Sequence, residues 1–391
     1  MSINVLWLLT TLTAASVLIF AARVAVFLRR CPVLRPSNAT LDAGPLISIV
    51  VPARNEAANI ERCVRSLLAQ DYAHLEVIAV DDGSTDATPA ILARLAAADR
   101  RLRVVGSGPL PAGWTGKNYA LYQGVRRARG DWLLFVDADV VLHPGALSAA
   151  YLAARQHGVA MLSLWARQEL VSFWERAVQP VIVGMGQATE PFQRVNSARH
   201  PEVALANGQF ILIERGAYEW IGGHAAVRDE VVEDQMLARN LKRAGYRMLM
   251  MDGTRLLSAR MYTSLGAIWE GWSKNNFLIL HRNYLLVLGA VLAVLLITVS
   301  PFVLAVGTLV LFKFSHQVFD PFLVNLVSIA LVLATRWRAR SYFGTPLRDY
   351  LWHPIGGLVF AAIMINSAYC HTWGRGVTWK GRRYGDVDPI A

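Results

Sequence analysis

The hydrophobic pattern divides the chain into three kinds of stretch. Residues 3–28 are almost continuously apolar, long enough for a helix that crosses a bilayer. From Ile47 to about residue 260, short apolar runs alternate with segments whose apolar residues recur at helical spacing. Beyond Asn283 long apolar runs return, over about 284–312, 318–335 and 350–371.

The middle region reads as repeated strand–helix units. Ile47-Ser48-Ile49-Val50-Val51 is a buried strand, and Ile60, Val64, Leu67 and Leu68 share one helical face. Glu76 to Val80 is a second strand, stopped by Asp81-Asp82-Gly83-Ser84. Pro89 suits an early helix position, with Ile91, Leu92 and Leu95 on one face. Arg103-Val104-Val105 is a short third strand, and Ala120, Leu121, Gly124, Val125 and Ala128 mark a third helix. Leu133 to Val136 is a fourth strand, apolar at every position as in a sheet covered on both faces. This alternation predicts an α/β, Rossmann-like, mostly parallel sheet. No Gly-x-Gly-x-x-Gly follows the first strand, which disfavours a dinucleotide fold.

Two amphipathic stripes follow. Leu170, Phe173, Trp174, Ala177, Val178 and Val181 recur at helical spacing. Such a stripe reads as core, yet Trp165 and Trp174 also suit a helix lying on a membrane. Leu265, Ile268, Trp269 and Trp272 repeat the pattern just before the next apolar block, where an interfacial helix is the stronger reading. The run 284–312 is too long for one perpendicular span, at about 43 Å of helix, and Ser300-Pro301 is the expected break. Asn325, Asn366 and His371 are expected to bond between helices, with an acceptor-binding role left open.

Composition supports the membrane reading: 54% of residues are hydrophobic and the mean hydropathy is +0.35. No Lys or Arg precedes the first run, whereas Arg23, Arg29, Arg30 and Arg35 lie at or beyond its end. This predicts an uncleaved anchor with the following domain on the cytoplasmic side. Three downstream crossings would put the tail outside, while Arg375, Lys380, Arg382 and Arg383 favour the inside, so the crossing count stays open. The expected order is an anchor over 1–30, a linker over 31–45, a catalytic domain over 46–260, an interfacial helix over 261–283, membrane helices over 284–372 and a basic tail over 373–391. The net charge of +11 fits an anionic membrane surface and a phosphorylated substrate, and no nucleic-acid motif accompanies it. Cys31, Cys63 and Cys370 offer neither a disulfide framework nor zinc spacing.

The chemistry gathers where strands end. Asp137 and Asp139, two apart on an extended chain, point the same way from the carboxyl end of the fourth strand. Two hard oxygen ligands there suit Mg²⁺ or Mn²⁺ shared with a diphosphate. Pro52-Ala53-Arg54-Asn55-Glu56 follows the first strand and Asp81-Asp82-Gly83-Ser84 the second. Gly113-Trp114-Thr115-Gly116-Lys117-Asn118 opens the third helix, and Glu233-Asp234-Gln235 begins a later one. Lys117 and Asn118 lie where a glycine-rich turn meets a helix start, a natural phosphate site; a solvated lysine is the plain alternative.

In this order the five stretches resemble the family 2 glycosyltransferases of the GT-A fold, over about residues 46–275. Gly113 to Asn118, Gly271-Trp272-Ser273-Lys274-Asn275 and Thr378-Trp379-Lys380-Gly381-Arg382 are closest to the hopene-associated glycosyltransferases, with carotenoid-type enzymes as neighbours. The resemblance implies a UDP-sugar or similar nucleotide-sugar donor, a divalent metal, a lipid acceptor, a single-sugar product and a bacterial inner membrane location. It implies donor contacts from Asp81 and Asp82, a pocket wall from Pro52 and Glu56, metal ligation by Asp139, and ribose or metal contact by Asp137. Asp234 would be the base of an inverting transfer, with Glu233 next in line. His224, Trp272 and Lys274 are acceptor-side candidates. Plainer readings stand beside these: Asp81 and Asp82 as turn residues, Glu56, Glu233 and Asp234 as first-turn acids, His224 as a structural histidine. The processive members' Gln-x-x-Arg-Trp is replaced here by Trp269-Glu270-Gly271-Trp272-Ser273-Lys274. A polyprenyl-phosphate sugar transferase and a catalytically silent membrane scaffold are the rival functions.

Overall fold

The computed structural model describes residues 3–36, 44–189, 192–312, 315–373, 376–379 and 381–384. The chain forms two compact units. One comprises Cys31–Glu169 and Pro191–Met261; the other comprises Met1–Arg30, Leu170–Glu190 and Tyr262–Ala391.

The first unit is α/β. Its strands are β1 (Ile47–Ala53), β2 (Leu75–Asp81), β3 (Leu102–Gly106), β4 (Trp132–Phe135), β5 (Val140–Leu142), β6 (Met161–Trp165), β7 (Arg167–Gln168), β8 (Ile211–Glu214), β9 (Met248–Asp252) and β10 (Leu257–Ala259). Seven of them form one sheet in the order β3-β2-β1-β4-β8-β6-β9. β1 to β4 pair in parallel, as do β6 and β9, but β8 runs antiparallel to both its neighbours. The sheet is therefore mixed, which corrects the mostly parallel expectation. Ile211, Leu212 and Ile213 are all buried, and a strand covered on both faces carries no alternation from which its direction can be read. A small second sheet has the order β5-β10-β7.

The core joins both sides of the expected units: Ile49, Val51, Val64, Leu67, Leu92 and Leu134 belong to one buried cluster. The helix Gly116–Val125 lies so close to β1 that a Cβ on Gly124 would collide with Val50. The amino ends of the strands are knotted around buried Glu76. It accepts from Ser48 Oγ and Arg129 N–H, each at 2.7 Å, and from the Arg103 and Arg129 guanidinium groups. Burial alone would raise this carboxyl; the hydrogen bonds from Ser48 and Arg129 and the charge of Arg103 hold it below the usual range. The opposite ends are left to the site, where Ala53 pairs with Asp81. Part of the expected linker is structured: Leu34 N–H donates to the Asp252 carbonyl at 2.9 Å, beside β9. Residues 37–43 lie outside the described residues.

The second unit is helical. Among the described residues three helices are long and apolar enough to cross a membrane: Ile3–Arg30, His316–Arg338 and Leu347–Thr372. A fourth span results if the pair Tyr284–Thr298 and Ser300–Phe312 is one, bent by 49° where Ser300-Pro301 was expected to break it. Leu8, Ile19, Leu285, Val306 and Val327 are exposed along these helices, while Thr10, Thr13, Thr308 and Asn325 are buried. Apolar side chains outward and small polar ones inward is the packing of helices in lipid. Asn325 Nδ2 donates to Thr10 Oγ1 at 3.3 Å, and Asn366 Nδ2 to Ser273 Oγ at 2.9 Å, both between helices as expected. His371 instead bonds the Ser367 carbonyl of its own helix.

The first amphipathic stripe forms the helix Phe173–Thr189, with Ala177, Val178 and Val181 buried. Trp165 is not part of it; the residue ends β6 opposite Asp252. The second stripe forms the helix Leu265–Ile279. In the tail, Val377–Trp379 pairs with Arg382–Tyr384; Arg375 and Lys380 lie outside the described residues.

Candidate active site

The loops that leave β1 and β2 are stitched together. Asn55 adopts a left-handed conformation (φ 53°), its N–H donates to Ser84 Oγ at 3.0 Å, and its Oδ1 accepts from Thr85 N–H at 2.8 Å. Glu56 N–H donates to Thr88 Oγ1 at 2.8 Å, and Asn59 Nδ2 donates to Glu56 Oε2 at 3.2 Å. Asp82 is buried and accepts from Ser107 Oγ, at the end of β3, at 3.0 Å. Asp81 accepts from Ser84 N–H at 3.2 Å, and Pro52 lies in β1 opposite Val80. Pro52, Glu56, Asp81 and Asp82 thus share one loop cluster at the carboxyl ends of β1 and β2.

A second cluster lies across β4. Thr115 caps the helix Gly116–Val125, its hydroxyl accepting from Asn118 N–H at 3.3 Å. The next side chain, Lys117, reaches two acids: Asp137 Oδ1 at 2.8 Å and Glu233 Oε1 at 2.7 Å. Asp234, beside Glu233 at the start of the helix Glu233–Arg243, accepts from Gly208 N–H at 2.9 Å and Gln235 N–H at 2.8 Å. Gly208 sits inside this ring. A Cβ there would lie 2.9 Å from Lys117 Nζ, 3.4 Å from Asp137 Oδ2 and 3.6 Å from Asp234 Oδ2. The glycine is held in turn by its flanking residues: Asn207 N–H donates to the buried Ser163 Oγ at 2.9 Å, and Gln209 N–H to Asn207 Oδ1 at 3.1 Å.

The electrostatics follow from the crowding. Loss of water and the charge of Glu233 push Asp234 up to about 6, against the pull of Lys117 and the two N–H donors. Burial would lower Lys117, but Asp137, Glu233 and Asp234 hold it well above the usual lysine value. Three carboxylates face one ammonium, so the ring has a surplus of negative charge. Among the described residues no three His, Cys, Asp or Glu side chains form a ready-made cage. Asp137 and Asp139, two residues apart just beyond β4, are hard oxygen donors of the kind a Mg²⁺-like cation takes when phosphate and water complete its shell. Beneath the site Cys63 is fully buried, and burial together with Asp139, Glu56 and Asp137 pushes its thiol up, leaving it inert.

Other candidates sit elsewhere. Asn118 is buried and its Nδ2 donates to the carbonyls of Val227, Arg228 and Glu230, at 2.6, 3.2 and 2.9 Å. It fastens that loop to the helix start. His224 is buried, bonded to Tyr218 Oη at 2.9 Å and edge-on to Phe135; burial and the Lys117 charge bring it down to about 3, so it stays neutral. Trp272 and Lys274 belong to the helical unit, where Trp272 Nε1 donates to Gln179 Oε1 at 3.1 Å. Sequence reasoning missed Ser107 and the Asn207-Gly208-Gln209 turn. The Asn-Gly pair was the one available signal for that turn.

The solved structure of the mannosyltransferase PcManGT from Pyrobaculum calidifontis, in complex with GDP-Man and Mn²⁺, shares this fold. Its TM-score is 0.54 at 19% identity, covering 95% of this chain and 98% of that one. The α/β unit thus has a GT-A-like fold. Residues 48–222 match the family model described as glycosyl transferase family 2. The 4,4'-diaponeurosporenoate glycosyltransferase of Staphylococcus haemolyticus (strain JCSC1435) is 27% identical over 232 residues, 59% of this chain and 60% of that protein. The enzyme of the same name from Staphylococcus aureus (strain MRSA252) is 25% identical over 384 residues, 97% of this chain and 98% of that protein.

Proposed function

We propose that the chain is a membrane-bound, inverting glycosyltransferase that moves one sugar from a nucleotide-sugar to a lipid acceptor of terpenoid or carotenoid type, hopanoids included. The observation that carries the chemistry is the placing of Asp234. It is the one carboxylate of the Lys117 ring held by two main-chain N–H groups and raised to about 6, the range a base needs near neutral pH. The relatives aligned over nearly the whole chain, whose name gives a carotenoid acid as acceptor, support the lipid.

In the proposed reaction an acceptor hydroxyl oxygen attacks the anomeric carbon, and Asp234 takes its proton. The bond from that carbon to the diphosphate oxygen breaks, and the nucleoside diphosphate leaves with the bonding electron pair. Asp82 and Asp81 hold the base or ribose, and Pro52 and Glu56 form the pocket wall. Lys117 faces the diphosphate side of the ring. Asp137 and Asp139 would hold a divalent cation, which when bound offsets the charge of the departing diphosphate.

The test incubates membranes holding the full chain with a panel of labelled nucleotide-sugars and identifies the labelled lipid by mass spectrometry. A labelled isoprenoid lipid without phosphate is the expected product. Label on a polyprenyl phosphate would replace the proposed acceptor. No labelled lipid with any donor, and no nucleotide-sugar hydrolysis by purified protein, would mark a silent scaffold.

A further inference from the structure

One end of the helical unit holds buried charges that sugar transfer does not use. Arg336, in the last turn of the helix Phe319–Arg338, is 5% exposed. His353, the first residue of the helix His353–Thr372, is 4% exposed, and Asp349, just before it, is 5% exposed. Arg336 Nη2 donates to the Arg176 main-chain carbonyl at 2.7 Å, and its guanidinium lies 4.8 Å from the Tyr350 ring centroid. Arg176 Nη1 stands 3.5 Å from Asp349 Oδ2. Gly356 lets the helix His353–Thr372 press against the Ala177 carbonyl, one residue beyond Arg176.

The cluster is incomplete in two respects. Arg336 Nε and Nη1 and both ring nitrogens of His353 are buried without a hydrogen-bond partner. Donors left unmet away from water are costly, and a guanidinium most of all. The charge does not close either: among the described residues Arg336 makes no ion pair, while Asp349 pairs with Arg176 and lies 3.9 Å from Arg348, whose side chain is 80% exposed.

The surroundings identify the anion's source. The facing ends of the spans His316–Arg338 and Leu347–Thr372 carry exposed Trp337, Leu347, Leu351 and Trp352, and the Arg340 guanidinium lies 4.7 Å from the Trp337 ring centroid. Tryptophan and arginine at the ends of apolar spans mark the headgroup layer of a bilayer. A soluble anion has no such apolar rim to cross. We propose that this cluster holds the phosphate headgroup of an anionic membrane lipid, with Arg336 and His353 as its donors.

The test uses the full chain in nanodiscs of phosphatidylcholine with a minor share of phosphatidylglycerol, and mass spectrometry of the intact complex after release into detergent. The parent protein should keep one phosphatidylglycerol per chain in preference to phosphatidylcholine. Arg336→Gln should keep it on the order of tenfold to a hundredfold less well. Asp349→Asn removes the competing negative charge and should keep it at least as well as the parent, a result that stands even if Arg336→Gln fails to fold. Equal retention by Arg336→Gln and parent, or loss of the lipid in Asp349→Asn, would overturn the proposal by showing a purely structural ion pair. Displacement of the lipid by inorganic phosphate alone would overturn it in favour of a free-anion site.

Discussion

Asp234 differs from the acids around it in how it is held. Two main-chain N–H groups fix its carboxylate, while crowding and Glu233 raise it to about 6. A base acts only when ionised, so kcat/KM should fall as the pH drops through about 6 and level off above it. Asp234→Asn should lower kcat on the order of 10²–10⁴-fold and abolish that acid limb, with donor binding nearly unchanged. An unchanged limb in the variant would assign it to another group, Glu233 first. Gly208→Ala is the sharper probe of the ring. Its Cβ displaces only the tip of Lys117, a flexible side chain, so the melting temperature should hold while transfer falls at least tenfold. Wild-type transfer by Gly208→Ala would show that the lysine's bridge to Asp137 and Glu233 is idle. Asp137 and Asp139 give a third outcome: chelation should abolish transfer and Mn²⁺ or Mg²⁺ restore it, and full rate in excess chelator would remove the metal role. The acids and the lysine were legible because each motif carries a reactive side chain. Gly208 was not, because its contribution is an N–H and an absence of bulk. Asn118 looked like a phosphate ligand from its place at a helix start, yet its amide is spent on three carbonyls that only tertiary structure brings near.

Among the elements, strands and helices were legible wherever burial leaves a period, and direction was lost where it does not. β8 is apolar and buried at each of Ile211, Leu212 and Ile213, so its antiparallel run between β4 and β6 has no signature in composition. Trp165 read as part of the following stripe because its ring type suits an interface, but its backbone completes the pairing of β6 with β9. What aligns β1 to β3 with the start of β4 is a polar device rather than the apolar pattern: buried Glu76 joins Ser48, Arg103 and the Arg129 main chain. Glu76→Ala strands these donors and should destabilise the protein by about 2–3 kcal/mol in chemical unfolding. The sign with pH is fixed. The folded carboxyl lies below its ordinary 4.5, so its contribution is complete above that value and is lost as the pH falls through the folded value. The gap between parent and variant should therefore narrow in acid; a gap that stays constant would place the stabilisation in packing instead.

For the molecule as a whole, apolar length made the spans legible, but not their number. The break near Ser300 depends on a bend of 49°, and the Thr13–Ser300 hydroxyl contact at 2.7 Å shows it packed against the first helix. The membrane helices bear on product size. A synthase that lengthens a polymer needs side chains free to grip the growing chain at each step. Here the helix Leu265–Ile279 is committed to packing. Ser367 Oγ donates to the Ser273 carbonyl and accepts from Phe277 N–H, Asn366 donates to Ser273 Oγ, and the Trp272 indole is tied to Gln179. With Gln-x-x-Arg-Trp also replaced in this region, the chain should add one sugar and release its acceptor. Reconstituted full-length protein, given limiting isoprenoid acceptor and excess nucleotide-sugar, should convert the acceptor to a single product one hexose heavier. That product should not be consumed on longer incubation. A ladder of heavier lipids growing with time would show that the packed helix opens to hold a chain. Trp272→Ala then separates the two cases. If one sugar is added per acceptor, it loosens the helix and lowers rate and stability together, with the product still carrying one sugar. In a polymer grip it shortens the ladder while the first transfer keeps its rate.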